Sequence, residues 1–331
     1  MKNLTLFVTN KCNSNCIMCF NSNLNKQEKE LTFNEYKKIS ENLGDLEQIF
    51  ISGGEPSLRK NLAEICKLFY LNCNVKKIRI PMNGQLTKRT FSLVRKVLQL
   101  CPNIDLFITL ALDGLEKLHD NHRGIKGSFR NVLKTYEALM KIKKRNLKVG
   151  FVTTVTKINY PFLEKLTEFT QKLNPKPKYH DLMVCRFQSN KVKNSLLISS
   201  GDYKKMLELD RNLRIGMIKN RYGFLKGRLF KKFIKVLNHV YFRAYSGNKT
   251  INCKAIQLGR VIESNGDVRI CEMTSVLGNL RDVDYNLYKL KVSTELRNNL
   301  KSCYCTHPCF VIPSLKYSSN ILKSIKSYIF R

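Results

Sequence analysis

A chain of 331 residues, 43% of them hydrophobic, is long enough to bury one large core, or a core with a smaller companion domain. No apolar run approaches the roughly 20 residues that a membrane-spanning helix needs, and the stretch before Cys12 is too short for a secretory signal, so the expected location is the cytoplasm. The formal charge of +34 fits an acidic partner (nucleic acid, a phosphorylated substrate, an anionic membrane face), and it equally fits a Lys-rich proteome, because the basic residues spread over most of the chain.

The first half alternates strand and helix. Residues 4–8 read as a short strand running into the Cys12 loop, and residues 48–52 as a second strand followed by Ser52-Gly53-Gly54-Glu55-Pro56. A helix over 58–72 leads to a strand over 77–82 that ends at Asn83-Gly84, and a helix over 86–100 leads to a buried strand over 104–112 that ends at Asp113-Gly114. Ser128 caps a helix with Phe129, Val132, Tyr136 and Leu139 on its apolar face. A strand over 149–156, a helix over 162–173 and a sixth strand over 181–188 complete the series. This alternation predicts an α/β fold: parallel strands with right-handed crossovers, closing into a partial (β/α)6 TIM-like barrel. The cysteines, the Gly-Gly turn, Asn83 and Asp113 all follow C-terminal strand ends, the face on which such architectures build active sites.

After residue 190 the pattern changes. A helix is expected over 200–213, and a basic amphipathic helix over 221–243 with Leu225, Leu229, Phe233, Leu237 and Val240 on one stripe. Between Lys204 and Lys249 there are thirteen Lys and Arg against Glu208 and Asp210. Asn265-Gly266-Asp267 marks a hairpin turn. The expected division is a core over 1–190, a basic helical connector over 191–250, and a Cys-rich hairpin-plus-helix domain over 251–331 with a short basic, apolar tail.

Twelve cysteines in a long chain without a signal point to metal or catalysis rather than disulfides. Cys66, Cys73, Cys101 and Cys185 lie in apolar or helical contexts and read as core thiols. Cys12-Asn-Ser-Asn-Cys16-Ile-Met-Cys19 is different: three thiolates in one loop can hold three irons of a cubane cluster and leave the fourth open. Zinc stays open on spacing alone, although no His lies nearby. The glycines of the SGGEP turn permit positive φ and close approach of a ligand to the backbone.

Together these residues resemble the radical S-adenosylmethionine (SAM) superfamily, over about residues 3–190. Its members place CxxxCxxC after the first strand and a GGE-type turn after the second. Pro81-Met-Asn83-Gly84, Thr109-Leu-Ala-Leu-Asp113-Gly114, Arg123-Gly124 and Gly127-Ser128-Phe129 extend the likeness towards the peptide-modifying branch. The resemblance implies that Cys12, Cys16 and Cys19 ligate a [4Fe-4S] cluster whose open iron binds SAM. It places Ser52, Gly53, Gly54, Glu55 and Pro56 against the methionine amino group, Asn83 and Asp113 near the ribose or methionine, and Arg123 against the carboxylate; read without it, Asn83, Asp113 and Arg123 are turn and cap residues. It also implies an enzyme in which reductive cleavage of SAM gives a 5′-deoxyadenosyl radical that abstracts a substrate hydrogen.

Cys253, Gly266-Asp-Val-Arg-Ile-Cys271 and Cys303-Tyr-Cys305-Thr-His307-Pro-Cys309 resemble the SPASM/Twitch extension of that superfamily. Five cysteines suffice for one auxiliary [4Fe-4S] cluster, with Cys253, Cys271, Cys305 and Cys309 as the expected ligands and Cys303 as substitute. A structural zinc knot is the alternative, and His307, beside Pro308, reads as a turn residue rather than a ligand. The resemblance favours a peptide or protein substrate and a low-potential electron donor of flavodoxin- or ferredoxin-like type. The basic stretch over 221–243 and the tail motivate a second reading, a carbohydrate or lipid-linked glycan substrate at an anionic membrane surface, with the enzyme peripheral to it. A zinc-containing RNA-binding protein is a third, disfavoured because no aromatic base-stacking motif is present.

Overall fold

Six stretches of alternating side chains pair in parallel in the computed structural model, which describes residues 1–21, 24–25, 28–186, 193–218 and 224–317. They are β1 (Asn3–Phe7), β2 (Gln48–Ser52), β3 (Lys77–Met82), β4 (Asp105–Ala111), β5 (Leu147–Val155) and β6 (His180–Val184), side by side in chain order. Parallel neighbours cannot be joined by a tight hairpin. The crossovers accordingly carry α1 (Phe33–Glu41), α2 (Leu62–Asn72), α3 (Thr87–Leu100), α4 (Glu116–Arg123) with α5 (Ser128–Met140), and α6 (Leu163–Lys172).

The alternation in β3 shows what drives the sheet. Ile78, Ile80 and Met82 are buried in one cluster with Phe69 of α2 and Val94 and Val97 of α3, while Lys77, Arg79 and Pro81 face the other way and stay half-buried. Each such buried aliphatic side chain contributes about 1.5–3 kcal/mol. The expected core thiols Cys66, Cys73 and Cys101 lie in this same cluster, and Cys185 in the next.

That next cluster is built by α7 (Ser200–Ile218) and α8 (Phe224–Tyr245) against β6. Leu237 and Val240 of α8 are buried with Tyr203 and Leu207 of α7, and Phe233 packs on them. The expected amphipathic stripe is therefore spent on the protein's own core over that length and presents no apolar surface to a membrane. The side chains of Leu225 and Leu229, like residues 221–223 and the tail, lie outside the described residues. Among the described residues no helix is long and apolar enough to cross a membrane.

The Cys-rich region extends the barrel sheet. After α9 (Ala255–Leu258), β7 (Gly259–Ile262) pairs in parallel with the free edge of β1, Asn3 opposite Gly259 and Leu6 opposite Ile262. β8 (Asp267–Arg269) then returns antiparallel through the expected turn, where Gly266 has φ +94°, and β9 (Val276–Asn279) adds a third strand. One nine-stranded sheet results, in the order β6-β5-β4-β3-β2-β1-β7-β8-β9. α10 (Thr294–Ser302) and α11 (Pro308–Lys316) close the described chain.

An ionic clasp joins the two ends of the sequence. Glu35, the N3 residue of a capping box with Thr32, accepts from Arg281 Nε at 2.6 Å and Tyr285 Oη at 3.0 Å. Burial works against its charge, but the bonds from Arg281, Thr32 and Tyr285 outweigh it and hold the carboxyl at about 2. A carboxyl depressed in the folded state contributes stability above its unfolded pKa and loses it as the pH falls through the folded one. Glu35→Gln is therefore expected to unfold at lower urea than the wild type at neutral pH, and the gap should close between about pH 5 and about pH 2. A gap that stays constant over that range would rule the clasp out.

Candidate functional site

The C-terminal end of β1 delivers the three-cysteine loop, and neighbouring strand ends hold it in place. Gly54 N–H donates to Thr9 O and Glu55 N–H to Lys11 O, both at 2.8 Å. Asn15 and Ile17 donate to the carbonyls of Arg123 and His122 at the C-terminus of α4, so the loop satisfies that helix's terminal acceptors. The thiols of Cys12, Cys16 and Cys19 remain partly exposed. Burial pushes the Cys12 thiol up to about 11, against a hydrogen bond from Ser14 and with added repulsion from Cys16, Glu55 and Cys19. Burial also raises Cys16, while the Arg123 guanidinium opposes it. Three crowded thiols of this kind release protons when a cationic centre binds, as thiolate ligation requires. Among the described residues no three His, Cys, Asp or Glu side chains converge tightly enough for a single metal ion. The donor set, three thiols on one short loop, fits the open [4Fe-4S] ligation expected of it.

The turn after β2 packs closely on the cysteine loop. A Cβ on Gly53, which has φ +133°, would lie 2.4 Å from Thr9 O, and one on Gly54 would lie 2.3 Å from Lys11 O. The two glycines admit the backbone of the cysteine loop itself. Gly54→Ala is thus expected to dislodge residues 9–12 and to lower iron retention at Cys12, Cys16 and Cys19, read as iron remaining after gel filtration of the reconstituted protein. Full retention would show that the loop does not depend on this contact.

Glu55, 2% exposed, is committed to the scaffold: Oε1 accepts from Ser57 N–H at 3.0 Å and Oε2 from Asn83 N–H at 2.7 Å. Burial raises its pKa against these bonds. Asn83 passes the connection on, donating from Nδ2 to Asn13 Oδ1 at 2.7 Å and Ser14 Oγ at 2.9 Å. Ser52 ends β2, its carbonyl taking Val8 N–H, and Pro56 is buried at the start of a 3-10 turn. Cysteine loop, Gly-Gly turn and Asn83 thus form one hydrogen-bonded unit at one end of the sheet.

Asp113 lies fully buried beside it. Its Oδ1 accepts from Thr154 N–H at 2.8 Å and its Oδ2 meets Arg123 Nη2 at 2.6 Å. Arg123 in turn reaches Cys16 Sγ from Nη1 at 3.6 Å, and its Nε–H has no partner. Here Arg123 pairs with a protein carboxylate, that of Asp113. Around them lie residues that sequence reasoning passed over. Asp113 N–H donates to His119 Nδ1 at 3.0 Å, which leaves the ring proton on Nε2, facing Ser128 Oγ at 3.1 Å. Burial holds His119 at about 4, so it is neutral at pH 7. Asn159 Nδ2 donates to Asp113 O at 2.8 Å, and His122 Nε2 meets Thr156 Oγ1 at 2.9 Å. The only sequence signal for these histidines was their three-residue spacing on α4.

The five C-terminal cysteines come together elsewhere. Cys253, Cys271, Cys303, Cys305 and Cys309 all line one cavity of about 410 Å³, and so does His307. Burial pushes the Cys305 thiol up to about 12, and raises Cys271 too, each with added repulsion from Cys309. Arg186 ion-pairs with Glu272 in the cavity wall and approaches Cys309 Sγ at 3.9 Å. Its guanidinium also lies 4.3 Å from the centre of the Phe20 ring, one residue beyond Cys19. His307 does sit at a chain turn, as N-cap of α11, but its ring is buried and neither nitrogen has a partner.

Residues 6–169 match the family described as the Radical SAM superfamily. An uncharacterized protein of Methanocaldococcus jannaschii is 31% identical over 214 residues, covering 59% of this chain and 71% of that protein. The Fe-coproporphyrin III synthase of Methanosarcina barkeri is 26% identical over 212 residues, covering 63% of this chain and 51% of that enzyme. Among solved structures, Streptococcus suis SuiB bound to precursor peptide SuiA superposes with a TM-score of 0.62 at 16% identity, over 92% of this chain and 68% of that one, a likeness of fold. The family match starts in the strand that leads into the three-cysteine loop and runs through five of the parallel strands, and the chain is accordingly an enzyme of the radical SAM superfamily, whose members use a [4Fe-4S] cluster and S-adenosylmethionine.

Proposed function

We propose that this enzyme modifies a peptide or protein, with Cys12, Cys16 and Cys19 holding the SAM-binding cluster and the second cysteine cavity holding one auxiliary [4Fe-4S] cluster. The observation that carries the reading is the second cavity, five thiols on an extension of the barrel sheet. The precursor-peptide complex of SuiB, which shares the fold, supports the substrate class. When bound, cluster and SAM supply a one-electron reduction that frees a 5′-deoxyadenosyl radical able to take a hydrogen atom from carbon.

The chain's own residues bind, orient and shield. Gly53 and Gly54 let the cysteine loop sit against β2, and Glu55 and Asn83 fix its height above the sheet. Arg123 keeps a cation beside Cys16 and has one N–H left for a ligand. Ser52, Pro56 and Asp113 set the cradle from behind. Electrons come from a low-potential donor of flavodoxin- or ferredoxin-like type. We assign residues 1–190 to the core, 191–250 to the helical connector and 251–331 to the auxiliary region.

The test uses the anaerobically reconstituted protein, SAM, dithionite and small peptides encoded beside its gene, synthesised with deuterated side chains. Deuterium appearing in 5′-deoxyadenosine, with a matching mass change in the peptide, is the expected result. Transfer from a labelled glycan but from none of the peptides would overturn the substrate class.

A further inference from the structure

The auxiliary cavity offers more donors than a closed cubane needs, and they fall into two groups. Arg186 marks the first. Its guanidinium is 3.9 Å from Cys309 Sγ and feels the charges of Cys305 and Cys271, and His307 in turn feels Arg186. The second group is Cys253 and Cys303: Lys249 acts on both and Cys253 acts on Cys303, which also reaches Cys305 of the first group. Cys253 is also engaged by the backbone at Ala255 and by Ser314.

His307 belongs to the first group by its surroundings. It is 3% exposed, it lines the cavity, and its backbone N–H donates to Cys305 Sγ at 3.3 Å. Both ring nitrogens are buried without a hydrogen-bond partner. Such orphans are costly, and native interiors rarely tolerate two on one ring. A neutral imidazole buried in a cysteine-lined cavity, with both nitrogens unsatisfied, has a lone pair to offer a metal.

We infer that His307 ligates an iron of the auxiliary cluster, so that Cys271, Cys305, Cys309 and His307 hold it and Cys253 and Cys303 remain as a free pair of thiols. The inference rests on the auxiliary-cluster reading above. The ligand set differs from the four cysteines expected from sequence by exchanging Cys253 for His307. Replacing a thiolate by a neutral imidazole removes one negative charge from the cluster and raises its reduction potential.

The experiment uses the full-length Cys12/Cys16/Cys19→Ala protein, reconstituted with iron and sulfide, reduced, and labelled with 15N-histidine. Removing the first site also removes any nitrogen signal from bound SAM. About four irons per chain, with a strong nitrogen coupling in pulsed EPR that changes from 14N to 15N on labelling, is the expected result. His307→Cys should keep the iron and lose the coupling; His307→Ala should lose at least half of the iron while Cys253→Ala loses none. Four irons without histidine coupling would overturn the assignment of His307 and leave the cluster standing. No iron in the unlabelled parent, or zinc in its place, would overturn the auxiliary cluster itself. The labelling arm needs no substitution in the auxiliary site, so a misfolded variant does not decide the matter.

Discussion

Alanine at Cys12, Cys16 and Cys19 together is expected to lower iron from about eight to about four per chain after anaerobic reconstitution, and to abolish release of 5′-deoxyadenosine from SAM. The fold should survive. The loop is held by backbone bonds, Gly54 to Thr9, Glu55 to Lys11 and Asn15 to Arg123, none of which involves a thiol. Far-UV circular dichroism and the denaturant midpoint of the metal-free protein should therefore match the wild type. Iron falling from about four to about zero would keep the first site and eliminate the second. Zinc without iron in both proteins would show that neither cysteine group holds the cofactor assigned to it.

Arg123→Leu should be the most damaging single substitution outside the hydrophobic core. Asp113 has no exposed surface, and its carboxylate is balanced by one guanidinium. Removing the cation leaves a buried charge, a loss of about 3–5 kcal/mol. Asp113→Asn should cost less, because the amide still accepts from Thr154 N–H and Arg123 keeps its contact with Cys16. The double variant should fall short of the sum of the singles by about 0.5–3 kcal/mol, the signature of a direct pair. Urea midpoints of the four proteins measure this. A loss under about 1 kcal/mol for Arg123→Leu would mean that water reaches the pair.

Much of this was legible in the residues, for reasons that can be named. Runs such as Lys77-Ile-Arg-Ile-Pro-Met82 carry the period of a strand with one packed face, and the crossovers between them are long enough for helices. Clustered cysteines at strand ends, and Asn-Gly-Asp between two apolar runs, are local signals. What escaped was long-range. That β7 would pair with β1 depends on an edge left free about 250 residues earlier, and no local pattern in Gly-Arg-Val-Ile encodes it. Glu35 caps α1 with Thr32, and its second task, binding Arg281 and Tyr285, appears only in three dimensions. The same holds for Gly53 and Gly54, whose missing side chains make room for the carbonyls of Thr9 and Lys11. α4 escaped for a different reason: its eight residues are mostly polar, and it buries His119 and His122 instead of an apolar stripe.

The position of β1 between β2 and β7 also bears on how the chain is made. β1 is made about 40 residues before β2, which then covers one edge. The other edge waits for residues 259–262. At about 5–20 residues per second, that is roughly 12–50 s in which a short apolar strand and the cysteine loop behind it stand open. An unpaired edge of this kind templates association with other chains. Nascent chains stalled before residue 259 should therefore be aggregation-prone, and the arrival of β7 is the step that covers the edge.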